Sequence, residues 1–175
     1  MKNKFILDDC RYIQSNNFDE RDDGIIIDKI IIHCISLPEC QYDNNNVIDF
    51  FTNKLDCNKH SSFDNLKDIK VSSHIFIRRS GEIIQFVPLD KRAWHAGKSN
   101  YKGRSNFNDF SIGIELEGST LDSYTNEQYI KLKNCILFVK ELFPSIEDSN
   151  ILGHSDIAPG RKTDPGSNFS WERIL

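Results

Sequence analysis

Hydrophobic positions along the chain fall into dense blocks separated by polar stretches, and the period within each block predicts its structure. Residues 25–36, IIIDKIIIHCIS, are β-branched and almost continuous. That is the pattern of one or two strands, the second buried on both faces. Ile112, Ile114 and Leu116 alternate with Ser111, Gly113, Glu115 and Glu117. A strand there places the apolar side chains on one face and both glutamates on the other. His74–Arg78 and Ile83–Val87 flank Arg79-Ser80-Gly81-Glu82, two apolar runs around a glycine-bearing turn, which predicts a hairpin. Helical spacing links Val47, Ile48, Phe50, Phe51 and Leu55, predicting a helix over 46–55. It also links Tyr129, Leu132, Ile136, Val139 and Phe143. This second helix has the stronger signature: Thr125 and Gln128 form a capping box ahead of it, and Pro144 stops it.

The remaining stretches, 38–46, 56–70 and 88–109, read as loops, and 151–171 leaves little room for regular structure. Residues 1–24 are polar and broken, an N-terminal arm lying on the surface of a domain spanning 25–175. Strands and helices mixed in this way predict an α/β (mixed α+β) class, with one central mixed β-sheet and helices packed against it.

Composition adjusts this picture little. The 175 residues suit one domain able to bury a core, and a net charge of −4 argues against broad nucleic-acid or anionic-membrane binding. No apolar run is long enough to span a bilayer, and MKNKFILDDC lacks the apolar stretch of an export signal. Five cysteines, Cys10, Cys34, Cys40, Cys57 and Cys135, form no CxxC pair. Free thiols in a reducing cytoplasm are the simplest expectation. Charge is uneven, however: nine basic residues against three acidic ones lie between Lys67 and Arg104. This is either a solvated basic face or a place to hold a small acidic ligand.

Candidate chemistry comes from histidines and carboxylates. His33 sits inside an apolar strand, where a satisfied core histidine is the commoner outcome. His154 opens a segment too polar to be core, and within it Lys162 and Asp164 fall on one side of an extended backbone. Two imidazoles and one carboxylate with an open fourth position make a common catalytic zinc arrangement. A surface salt bridge between Lys162 and Asp164 explains the same residues, and spacing does not decide between the two. Glu115 and Glu117 are close enough on one strand face for one to serve as a general base, or both form a polar outer face. No GxSxG elbow occurs, and Cys34 points away from His33.

Taken together, HCISLPE (33–39), VSSHIFIRRSGEIIQFVPLDKRAWHAGKS (71–99), NDFSIGIELEG (108–118) and GHSDIAPGRKTDPG (153–166) resemble the AmpD type of N-acetylmuramoyl-L-alanine amidase. The resemblance covers roughly residues 25–171. It implies one zinc ion held by His33, His154 and Asp164, with Glu115 as catalytic glutamate and Lys162 as catalytic lysine. It implies that Trp94 and His95 line the site, and it puts Lys70 and Arg104 where a substrate carboxylate is met. Arg161 is a further candidate for a peptide carboxylate, and His74 reads either as support for the site or as core. The implied reaction cuts the bond between the lactyl group of (1,6-anhydro-)N-acetylmuramic acid and L-alanine in small muropeptides during peptidoglycan recycling. A cytoplasmic monomer without nucleic-acid or membrane partners is expected. The alternatives are a non-catalytic peptidoglycan-binding module and an amidase acting on intact cell wall. Cys34 stands where close relatives are expected to carry asparagine.

Overall fold

The structure, a computed structural model, describes residues 3–175. Among the described residues ten strands follow one another: β1 (Arg11–Tyr12), β2 (Phe18–Asp19), β3 (Lys29–Ile35), β4 (Ile75–Ile77), β5 (Ile83–Gln85), β6 (Arg92–Ala93), β7 (Asn100–Tyr101), β8 (Arg104–Ser105), β9 (Ser111–Glu117) and β10 (Ile151–Gly153). Six of them form the central sheet in the order β1-β5-β4-β9-β3-β10, while β2 pairs with β6 and β7 with β8 in two-stranded ribbons. Within the sheet only β4 and β5 run antiparallel to each other, closing the expected hairpin; the other neighbours are parallel. Three α-helices, α1 (Asn46–Phe51), α2 (Asn126–Leu142) and α3 (His154–Ile157), complete the frame with several 3₁₀ turns. The mixed sheet with flanking helices is the predicted class.

Sheet faces are divided by the alternation read in the sequence. Ile30 and Ile32 of β3, Ile75 and Ile77 of β4, and Ile112, Ile114 and Leu116 of β9 pack with Leu132, Cys135, Ile136 and Val139 of α2 in the main core. The opposite face carries Ile31 and His33 of β3, Phe76 of β4 and the Ser111-Gly113-Glu115-Glu117 row of β9. All seven residues of β9 are buried, so the glutamate row is not a solvated outer face.

Helix α2 begins as its capping box requires. The Thr125 hydroxyl accepts from Gln128 N and the Gln128 side chain accepts from Thr125 N. Thr125→Ala is expected to cost about 1 kcal/mol, read as a lowered midpoint in chemical denaturation.

Three stretches differ from expectation. Helix α1 stops at Phe51 because Asn53 takes a left-handed conformation (φ 61°) and turns its amide to Asn17, with two reciprocal bonds of 3.0 Å. The 56–70 loop contains two 3₁₀ turns, Cys57–Lys59 and Ser61–Leu66. The 151–171 stretch is more regular than predicted: β10 adds a parallel edge strand to β3, and α3 follows it directly. Strand β10 has only three residues and ends in glycine, so its conformation comes from pairing rather than from propensity. Residues of the N-terminal arm join the body: β1 extends the sheet, and Ser15 and Asn17 are buried. No helix among the described residues is long and apolar enough to cross a membrane.

Candidate metal centre and active site

Parallel strands β3, β9 and β10 point their carboxyl ends toward one crevice, where open α/β sheets usually bind ligands. His33 lies opposite Glu115 in the β3–β9 register, so both side chains leave the same face. His154 follows β10 immediately as the first residue of α3. Asp164 returns to it because Gly153 has no side chain: a Cβ there would lie 2.9 Å from Pro165 Cδ. Ser155 N donates to Asp164 O at 2.9 Å and holds the turn against α3.

These elements bring His33 Nδ1, His154 Nδ1 and Asp164 Oδ2 together. The separations are 2.9 Å between the two nitrogens, 3.1 Å from His154 to Asp164 and 3.3 Å from His33 to Asp164. Donors bound tetrahedrally to one zinc at ordinary bond lengths would stand about 3.3 Å apart, so the trio is close to the spacing such an ion requires. This His-His-Asp group is the metal-capable cluster found among the described residues. Protonation states agree. The His154 Nε2–H donates to Ala96 O at 3.0 Å, which leaves the Nδ1 lone pair facing Asp164. Burial, reinforced by the neighbouring His154 ring, lowers His33 to about 4, so it is neutral near pH 7, the state a metal-binding imidazole needs. Burial alone would raise the Asp164 carboxyl, yet with no ion between them hydrogen bonds from His154 and then His33 hold it well below the usual range; with an ion in place the same Nδ1 atoms turn lone pairs to it. The donor set fits a zinc ion.

Glu115 projects beside this trio. It is 9% exposed, and its Oε2 has no hydrogen-bond partner. Burial first, then the Asp164 charge, pushes its carboxyl well above the ordinary range, with Lys162 opposing. Glu117 is differently placed: Asp43 N donates to its Oε1 at 3.2 Å and Arg79 N to its Oε2 at 3.0 Å. One glutamate is free to react while the other ties two loops, a distinction strand alternation alone does not make.

A cavity of about 270 Å³ opens over the site. Its lining combines Glu115, His154, Lys162, Asp164 and His95 with Trp94 and the apolar Leu37, Phe50, Phe51 and Leu66. Phe50 and Phe51, read in the sequence only as the core face of a helix, thus also shape the cavity. An adjoining groove shares Cys34, Lys162 and Asp164 and adds Arg161. Arg161 Nη2 donates to Ala96 O at 2.8 Å and Lys98 O at 2.6 Å, pinning the loop that also accepts from His154. Arg104 is engaged elsewhere, paired with Asp28 at 2.6 Å and stacked 3.6 Å from the Phe110 ring centre. Lys70 is exposed, next to Ile69 and Val71, which line the cavity. His74 is fully buried: its Nδ1 accepts from Gly113 N and its Nε2 donates to Lys91 O. Cys34 is no thiolate, since burial pushes its thiol up to about 12.

The chain belongs to the N-acetylmuramoyl-L-alanine amidase family, whose sequence profile matches residues 23–167. Within that family it is similar to the AmpD enzymes. It is 46% identical over 172 residues to the 1,6-anhydro-N-acetylmuramyl-L-alanine amidase AmpD of Haemophilus influenzae, covering 98% of this chain and 94% of that one. It superposes with a TM-score of 0.95 on the crystal structure of a selenomethionine AmpD derivative, at 42% identity, covering 99% of this chain and 97% of the other. A further structure matches at 27% identity and a TM-score of 0.62, over 91% of this chain and 65% of that one. It is the Escherichia coli amidase AmiD in complex with anhydro-N-acetylmuramic acid-L-Ala-D-γ-Glu-L-Lys.

Proposed function

We propose that this amidase hydrolyses the amide joining the lactyl group of 1,6-anhydro-N-acetylmuramic acid to L-alanine in small muropeptides, using one zinc ion held by His33, His154 and Asp164. The observation that carries the reading is the convergence of those three donor atoms beside the buried, partnerless Glu115 Oε2. Supporting the substrate are the AmpD relatives, named for that sugar.

When bound, the ion supplies Lewis-acid polarisation of the amide carbonyl and lowers the pKa of an attacking water toward neutrality. Glu115 accepts the proton of that water at its free carboxylate oxygen and returns it to the departing L-alanine nitrogen. Lys162, on the rim of the same cavity, places its ammonium against the oxygen that gains charge during attack. Trp94 and the neighbouring apolar wall exclude water and seat the sugar. Arg161 and the exposed Lys70 attract carboxylates of the peptide stem, with Arg104 kept as a more distant candidate.

Residues 25–175 form the catalytic unit, and the arm ahead of it adds β1 to its sheet. Every proposed catalytic group comes from one chain, so nothing in the reaction calls for a second subunit. Cys34, Cys40, Cys57 and Cys135 are thiols, Cys40 exposed, which supports a reducing cytoplasmic setting.

Mass spectrometry of products from a purified anhydro-muropeptide tests the reading. Free peptide with an L-alanine amino terminus is expected, its release stopped by a chelator and restored by zinc. Intact sacculi should be cut much more slowly. Chelator-resistant cleavage, or an unbroken lactyl amide, contradicts the proposal; equal cleavage of sacculi moves the substrate to the wall itself.

A further inference from the structure

His95 was expected as a residue lining the cavity, but its hydrogen bonds point inward. We propose that His95 is a positioning residue that fixes the tautomer and tilt of the ligand His33 through a relay ending on Ser111. The proposal rests on the metal-centre reading above.

For His33 to present an Nδ1 lone pair toward His154 and Asp164, its proton must sit on Nε2. That Nε2 lies 2.9 Å from His95 Nδ1, so His95 accepts there and carries its own proton on Nε2. The His95 Nε2–H faces Ser111 Oγ at 3.2 Å, and the Ser111 hydroxyl in turn donates to Phe107 O. Each group donates onward, and the relay closes on a carbonyl, which only accepts. The Ser111 hydroxyl has one proton, and giving it to Phe107 O leaves its oxygen to accept from His95, which sets the direction of the chain. His154 achieves the same state in one step through Ala96 O.

The sheet is cut to receive this ring. A Cβ on Gly113 would lie 2.4 Å from His95 Cγ and 2.5 Å from its Nδ1. No side chain other than hydrogen leaves His95 room beneath His33. The backbone N–H of His95 and that of Ala96 both donate to Asn108 Oδ1, at 3.0 and 2.7 Å, setting the height of the ring. The His33 and His95 rings meet edge to face, 84° apart with centroids at 5.1 Å, so neither slides past the other without losing the bond. Glycine and serine at 113 and 111, which strand alternation marks only as non-apolar, thereby acquire a shared purpose.

Zinc affinity, measured by competition with a chromogenic chelator on purified protein, tests the relay without reference to turnover. His95→Phe keeps the ring volume and removes the acceptor; it is expected to weaken zinc binding about 10- to 100-fold. His95→Asn, whose Oδ1 replaces Nδ1, should recover most of that loss. Ser111→Ala should weaken binding less than His95→Phe. A purely structural role would lower the melting temperature of the metal-free variants together and leave zinc affinity in the folded fraction unchanged. Imidazole ¹⁵N spectra of the native zinc-loaded protein give a readout that needs no variant: His33 and His95 should both appear as Nε2–H tautomers. His95 as the Nδ1–H tautomer, or zinc held by His95→Phe within threefold of native, overturns the relay while leaving the centre intact. A native protein that binds no zinc removes both.

Discussion

Glu115→Gln is expected to reduce the rate of lactyl-amide hydrolysis at least about a hundredfold while zinc content stays at the native level. General bases typically contribute 10²–10⁴-fold, and here no other carboxylate is free to substitute. Asp164 is turned to the two histidines, and Glu117 spends both oxygens on Asp43 N and Arg79 N. Glutamine preserves the shape of the buried side chain and removes its capacity to take a proton. The site already tolerates an unpartnered polar atom at Glu115 Oε2, and a neutral amide buries no charge there, so folding should survive. The companion change, Glu117→Gln, breaks an acceptor pair that anchors two loops. It should appear mainly as lost stability, with turnover of the folded fraction much closer to native. Steady-state kinetics with elemental analysis of both variants separates the roles. Turnover of Glu115→Gln within about tenfold of native would remove Glu115 as the base.

That asymmetry between the two glutamates marks the boundary of what the sequence made legible. Alternation placed 111–117 in a strand with its glutamates on one side, and β9 has that arrangement. It was silent on which glutamate would be bonded, because the deciding donors, Asp43 N and Arg79 N, come from loops 74 and 38 residues away. The hairpin, the β3 strand and the capped helix α2 were likewise legible, since each is encoded by neighbours a few residues apart. Helix α1 was read too long because Asn53, unremarkable in the pattern, is claimed by Asn17 from the arm. The β10 strand escaped notice because β3 imposes it. Arg21, in a segment read as surface arm, donates to the carbonyls of Asn108, Asp109 and Ser111. It helps shape the turn from which the His95 relay is built. The meeting of His33 with His154, 121 residues apart, could be anticipated only through family resemblance; spacing alone favoured a core histidine and a surface salt bridge. His95 itself was noticed as part of a motif, but its inward role depends on the missing Cβ of Gly113, which matters only once the two segments face each other.

Asp164→Ala is expected to abolish both turnover and the stabilisation conferred by zinc, leaving the fold in place. Of the three proposed ligands Asp164 alone would bring a charge, and without it two imidazoles would have to hold a divalent ion alone. Loss of the carboxylate also removes its hydrogen bonds with His154 and His33, which hold it well below the usual range, so the metal-free variant starts from a lower Tm than the native protein. For the native protein, zinc at about 100 times its dissociation constant adds about 2.7 kcal/mol of stability. In a domain of this length that raises Tm by about 5–10 °C. The same zinc titration on Asp164→Ala should leave Tm nearly unmoved from that variant's own metal-free baseline. Thermal denaturation across a zinc series, chelator-treated samples as baseline, reads both quantities at once. If the variant's melting temperature climbed with zinc as steeply as the native one, Asp164 would not be a ligand, and the three-donor centre would have to be rebuilt around some other group.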